Sequence, residues 1–192
     1  MRTVTGLFDV YSSAKVAVAN LEKAGIPSSD ISIVSRHSEK ESNATEGAGV
    51  GAGIGAAVGG AGGLLAGLGI MAIPGVGPVV AAGWLAATLT GAVGGAVVGG
   101  ATGGLIGALT EAGVPEEDAN LYAEGVRRGG TVVTAKVPDE RYAEADAILS
   151  GATPVNLVER RRAYNEDGWQ SFDPKALPYT EDEVERERRR YL

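Results

Sequence analysis

The sequence has no cysteine in its 192 residues. That excludes disulfides, thiolate nucleophiles, zinc fingers and iron–sulfur clusters. Histidine is nearly absent: His37 stands alone among Ser and Glu, without the partner that a metal site or a catalytic triad requires. Positive charge is also short, with 17 Lys and Arg against 24 Asp and Glu and a net charge of −7, so general nucleic-acid binding is not expected. No apolar signal-peptide core follows Met1, because Arg2–Phe8 reads as a strand, and the default address is the cytoplasm.

The largest absence is local. Gly47 to Thr110 spans 64 residues without one charge and holds 22 of the 30 glycines. Four parts follow: residues 1–46, the first half of a folded domain; 47–110, an inserted apolar segment; 111–158, the second half; and 159–192, a charged tail.

The two halves share a pattern. Thr3–Phe8 reads as a strand. Val10–Ala24 carries Ala14, Ala17, Val18 and Leu21 at helical spacing, Gly25 and Pro27 stop that helix, and Ile31–Ser35 is a second strand. After the insertion, Thr131–Val137 is β-branched and strand-like, a helix runs from Pro138 to Leu149, Gly151 stops it, and Val155–Val158 reads as a last strand. Two β-α-β units predict an α+β, ferredoxin-like domain: four antiparallel strands with helices on one face. Its expected core is Phe8, Leu21, Ile31, Ile33, Val133, Ile148 and Leu157. A further helix, Glu116–Arg128, has Pro115 suited to its first position, acids in its first turn and Arg127 and Arg128 at its end. Ala24-Gly25-Ile26-Pro27-Ser28-Ser29-Asp30 and Ala112-Gly113-Val114-Pro115-Glu116-Glu117-Asp118 repeat one pattern, read as a helix stop and tight turn used twice.

With its first strand and helix, AGIPSSDISIV, a Gly-rich insertion and then AGVPEEDANLYAEGVRRGGTVVTAKVPDERYAEADAIL, the chain resembles the bacterial general stress protein (heat-induced stress protein) domain family over residues 3–158. The resemblance implies a fold and a stress context. It implies no catalytic residues.

Glycine recurs every fourth residue at Gly47, Gly51, Gly55, Gly59, Gly63 and Gly67, and again at Gly91, Gly95, Gly99, Gly103 and Gly107. Such ladders let helix backbones pack closely, typically in membranes. A break at Pro74, Gly75, Gly77 and Pro78 then predicts a helical hairpin with arms Gly47–Ile73 and Val79–Thr110, each longer than the roughly 20 residues a bilayer crossing needs. Eleven glycines lie between Gly47 and Gly69. At about 1 kcal/mol each they oppose a helix by roughly 10 kcal/mol in water, which a bilayer or tight packing in an assembly must offset. Arg36, Lys40, Arg127 and Arg128 flank the hairpin base as cytoplasmic-side charges should. A GxxxG stripe precesses around its helix by roughly 40° per step, so one straight partner cannot follow it and several copies must meet.

The tail opens with Arg160-Arg161-Arg162, a candidate for anionic headgroups. Trp169, Phe172 and Tyr179 read as docking rings, for the chain's own domain or a neighbour's. Thr180-Glu181-Asp182-Glu183 matches a capping box for a helix Glu181–Arg190, with Glu185–Arg189 and Asp182–Arg186 pairs.

These observations predict a non-enzymatic, stress-linked structural protein that self-assembles through the hairpin. It needs no cofactor and no metal. Its expected partners are further copies of itself and a lipid bilayer, not nucleic acid. The membrane reading places both termini at the cytoplasmic face; the alternative is a soluble or filamentous cytoplasmic homo-oligomer whose ferredoxin-like domain binds a ligand or regulates.

Overall fold

The computed structural model describes residues 1–36, 69–94 and 104–191. Within them the chain is α+β, with five strands in one antiparallel sheet and seven α-helices. The strands are β1 (Arg2–Phe8), β2 (Ile31–Arg36), β3 (Gly69–Ile73), β4 (Gly77–Ala82) and β5 (Thr131–Val137). The helices are α1 (Tyr11–Lys23), α2 (Trp84–Gly94), α3 (Leu105–Glu111), α4 (Glu116–Arg127), α5 (Tyr142–Gly151), α6 (Leu157–Glu166) and α7 (Glu181–Tyr191).

The sheet order is β1-β5-β2-β4-β3. β1 and β2 each pair antiparallel with β5 and so run parallel on either side of it, linked through α1. β4 and β5 flank β2 in the same way, with α2, α3 and α4 in their connection. The two connections lie on opposite faces of the sheet, α1 on one and α2, α3 and α4 on the other. Strand alternation feeds both layers. Val4, Phe8, Ile31, Ile33, Val133 and Val137 meet Ala14, Val18 and Leu21 of α1 and Leu149 of α5. Leu7, Val34, Val79, Ala81 and Val132 meet α2, α3 and α4 on the other side.

Five of the seven expected core residues are buried: Phe8, Leu21, Ile31, Ile33 and Val133. Ile148 and Leu157 are only half-buried at its margins. The face of α1 is the one its spacing indicates, Ala14, Ala17, Val18 and Leu21. The repeated AG[IV]P pattern is a helix stop twice over. Gly25 has φ 83° and its N–H donates to the Glu22 carbonyl at 2.8 Å, while Ile26 N–H reaches the Leu21 carbonyl at 3.1 Å. Gly113, with φ 90°, makes the same pair of bonds with Val114 to Thr110 and Leu109. Pro115 is the N-cap of α4 rather than its first helical residue.

Two expectations are corrected. Val155–Val158 is not a strand: Val155 N–H makes one bond to the Leu7 carbonyl at 2.7 Å, and the Asn156 side chain then accepts from Val158 N–H and Glu159 N–H, capping α6. The described part of the insertion is not a helical hairpin either. Residues 69–82 form the β3–β4 hairpin, whose strand β4 pairs with β2 from Ile33↔Ala82 to Arg36↔Val79. Pro74, Gly75, Gly77 and Pro78 do make the turn, but between strands. Val76 N–H bonds the Ile73 carbonyl at 3.0 Å, and Pro74 followed by Gly75 at φ 76° is the residue order of a type II turn. The sheet won because pairing with β2 satisfies this backbone and buries Val79 and Ala81, while Gly69, Gly75 and Gly77 weaken a helix over the same stretch.

Candidate functional site: an ionic clasp beneath the tail

The site is built where α4 ends and the C-terminal tail returns over it. Glutamate at the third and arginines at the last turns of α4 face inward together. Glu124 is 0% exposed and accepts from Arg127 Nε at 2.8 Å, Arg127 Nη2 at 2.6 Å and Arg128 Nε at 2.7 Å. A buried carboxylate persists only with such partners. Arg128 extends the network, donating from Nη1 to Glu187 of α7 at 2.9 Å while its guanidinium stacks 3.9 Å from the Tyr164 ring centre. Burial works against the Arg128 charge, but the bonds to Glu124 and Glu187 outweigh it and hold the group above its ordinary value. Arg160 of α6 grips Asp9 with two bonds, 2.8 and 2.6 Å, and lies 3.6 Å over the Tyr191 ring.

The tail rings dock on their own domain. Trp169 meets Tyr164 edge to face at 5.8 Å. Phe172 packs against the cluster under α2, α3 and α4, and its N–H donates to Asn120 Oδ1 at 3.2 Å. Tyr179 lies 4.7 Å below the Arg127 guanidinium, and its carbonyl accepts from Arg36 Nη2. The turn residues and the tail residues, read separately in the sequence, are neighbours. A methyl on Gly75 would sit 2.7 Å from the Asp173 carbonyl and 2.9 Å from Phe172 Cζ, and one on Gly77 would sit 3.0 Å from Pro178 Cβ. The glycines thus make the track on which the tail crosses the hairpin.

Beyond the track, α7 carries the capping box expected of it. Thr180 N–H and Oγ1 donate to Glu183 Oε2 at 2.7 and 2.8 Å, and Glu183 N–H returns to Thr180 Oγ1 at 3.3 Å. Arg189 pairs with Glu185 at 3.5 Å, whereas Arg186 bonds the Asp182 carbonyl rather than its carboxylate. Arg190 closes the clasp on Asp167, at 2.6 and 3.2 Å.

The remaining sequence candidates fall as follows. Gly47, Gly51, Gly55, Gly59, Gly63, Gly67, Gly95, Gly99 and Gly103 lie outside the described residues, as do His37 and Lys40. Gly91 is in α2 and Gly107 in α3, where its carbonyl accepts from Thr110 Oγ1 at 3.0 Å. Of the run Arg160–Arg162, Arg160 is buried on Asp9, Arg161 meets Asp118 at 2.6 Å, and Arg162, which is exposed, pairs with Glu166 at 3.0 Å. A cavity of about 10 Å³ lies between Arg128, Arg160, Tyr164 and Tyr191, room for about one water and no organic ligand. Among the described residues no group of three His, Asp or Glu is placed to hold a metal, and no helix is long and apolar enough to cross a membrane. No family model, curated protein or solved structure matches the chain.

Acid should release this tail before it unfolds the core. The bond from Arg190 holds the Asp167 carboxyl below its ordinary value, and the Thr180 backbone N–H does the same for Glu183. Groups lowered in the folded state contribute stability above their unfolded pKa, about 4, and lose it as pH falls through the folded value. Amide protection in α7 should therefore fall between about pH 5 and pH 3 while β5 stays protected. Parallel loss in both elements would show that these carboxylates do not hold the tail.

Proposed function

We infer that the protein is a non-enzymatic, stress-linked structural protein that self-assembles through its glycine-periodic segments, with the sheet domain as a scaffold closed by its own tail. The observation that carries this is the clasp: the buried charged groups Glu124, Arg128, Arg160 and Glu187 bond to one another and to Asp9 and hold the tail, leaving room beside them for only about one water. The domain is read as a variant of the ferredoxin-like arrangement. Supporting that are β1, β5 and β2 in this order, with α1 crossing between the parallel pair; the place of a fourth strand beside β1 goes to Val155 and α6, and β4 and β3 extend the opposite edge.

Two settings for the assembly remain distinct. In one, the protein inserts in a bilayer with both termini on the cytoplasmic face. In the other it is a soluble or filamentous cytoplasmic homo-oligomer, the sheet domain binding a ligand or regulating. Ile73, Val79, Ala81, Leu85 and Leu89, apolar residues of the two arms within the described chain, are buried in the domain core, which favours the second. Gly55→Leu and Gly95→Leu should each reduce the particle size in sedimentation while the circular dichroism of the domain is unchanged. Unaltered particle size in both variants would refute assembly through the glycines. Retention in the pellet after carbonate extraction would return the bilayer to first place.

A further inference from the structure

The helix α7 presents one face to the core. Val184, Glu187 and Tyr191 follow at i, i+3 and i+7 and lie together along it. Val184 sits so close to Gly129 that a methyl there would come within 2.2 Å of Val184 Cγ1. Glu187 meets Arg128, and the Tyr191 ring lies under Arg160. Every group that receives α7 in this cleft, from Asp9 through Gly129 to Tyr164, precedes the connection to it. The helix itself is preformed, with its own capping box and its own Glu185–Arg189 pair. The connection from Gly168 to Thr180 contains no helix or strand and reaches about 40 Å when extended.

The seating is polar and incompletely satisfied. Of the three contact residues of α7 only Val184 is aliphatic. Two buried polar atoms of the tail itself, the Tyr191 hydroxyl and Trp169 Nε1, have no hydrogen-bond partner among the described residues. Unpaired buried polar atoms lower the docking free energy and make the helix releasable. A released α7 finds the same complementary cleft on any other copy, since a contact made within one chain is reproduced between two at little cost. We propose that the cleft formed by Arg128, Gly129 and Arg160 is a helix-recognition site whose partner is α7 of a second copy of this chain, the two copies exchanging tails. This rests on the self-assembly reading above and assigns a partner surface to it.

The absence of cysteine makes the test direct. Gly129→Cys and Val184→Cys chains of different tag length, mixed at rising concentration and oxidised, should give a covalent heterodimer, because the two β-carbons lie close to the separation a disulfide requires. As a second check, the doubly substituted chain, oxidised at low concentration so that its own tail is locked in its own cleft, should fall to a smaller particle in sedimentation than the unaltered chain. Exchange is overturned if the mixture yields no heterodimer while the doubly substituted chain cross-links only within itself, or if the internally locked chain assembles like the unaltered chain. Since Gly55→Leu and Gly95→Leu leave the cleft residues unaltered, particles that shrink in those variants but not in the internally locked chain would sink the exchange and keep the glycine-mediated assembly.

Discussion

Glu124→Ala should lower the unfolding free energy by about 3–5 kcal/mol, the effect of leaving a buried charge without its partner. The Glu124 carboxylate accepts three bonds from two guanidiniums, and Arg128, one of those donors, is 7% exposed. Removing it leaves Arg127 and Arg128 facing each other with only Glu187, Asp167 and backbone carbonyls to answer them. The loss of packing alone would account for less, because the Glu side chain contributes few apolar contacts. Glu124→Gln, which keeps the shape and one acceptor, should therefore fall in the same direction by a smaller amount. Urea denaturation checks both: the midpoint should shift at unchanged slope. A loss below about 1 kcal/mol for Glu124→Ala would mean that the clasp adds nothing to the stability of the core.

Gly83→Ala should cost more than about 4 kcal/mol or prevent folding altogether. Gly83 joins β4 to α2 at φ 83°, pressed against the neighbouring strand. A methyl would lie 1.9 Å from the Ile31 carbonyl oxygen and 2.6 Å from Ser32 Oγ. That hydroxyl accepts from Leu85 N–H at 3.0 Å and so holds the start of α2 from β2. No side-chain rotation can relieve a clash with backbone. Gly25→Ala and Gly113→Ala separate the two contributions. Both positions have positive φ, but nothing lies within 4 Å of the added methyl, so only the conformational strain of about 1–2 kcal/mol applies. If Gly83→Ala melts like Gly113→Ala in calorimetry, the close approach of β2 and the β4–α2 junction is not what requires glycine there.

The clasp was only partly legible from the sequence. Glu124 and Arg128 are four residues apart on one helix, a spacing that can be read directly, and the Thr180–Glu183 capping box was read. Arg160 and Asp9 are separated by 151 residues, and no local pattern joins them. Within Arg160–Arg162 the three side chains have the same chemistry, and only their positions around α6 send them to Asp9, Asp118 and Glu166. Likewise Phe172 gave no sign of its destination, because the track beneath it is formed by glycines that have no side chain to announce a contact.

What the sequence alone determined is what depends on neighbours a few residues away. The period of apolar residues in α1, the β-branched run of β5, the acids at the start of α4 and the glycine stops at Gly25 and Gly113 each define their element without help. Tertiary structure decided the rest. Residues 69–82 are apolar and rich in small side chains, which suits a helix or a strand alike, and β2, the strand that receives their hairpin, lies across a long stretch of chain. Pairing with β2 settled the matter by satisfying the backbone of β4 while burying its valines. At Val155–Val158 the outcome reversed: β-branched residues favour a strand, but Asn156 capped two N–H groups and the chain left the edge of β1 as a helix. Local propensities differ there by less than one capping interaction, about 1 kcal/mol, so the context decides.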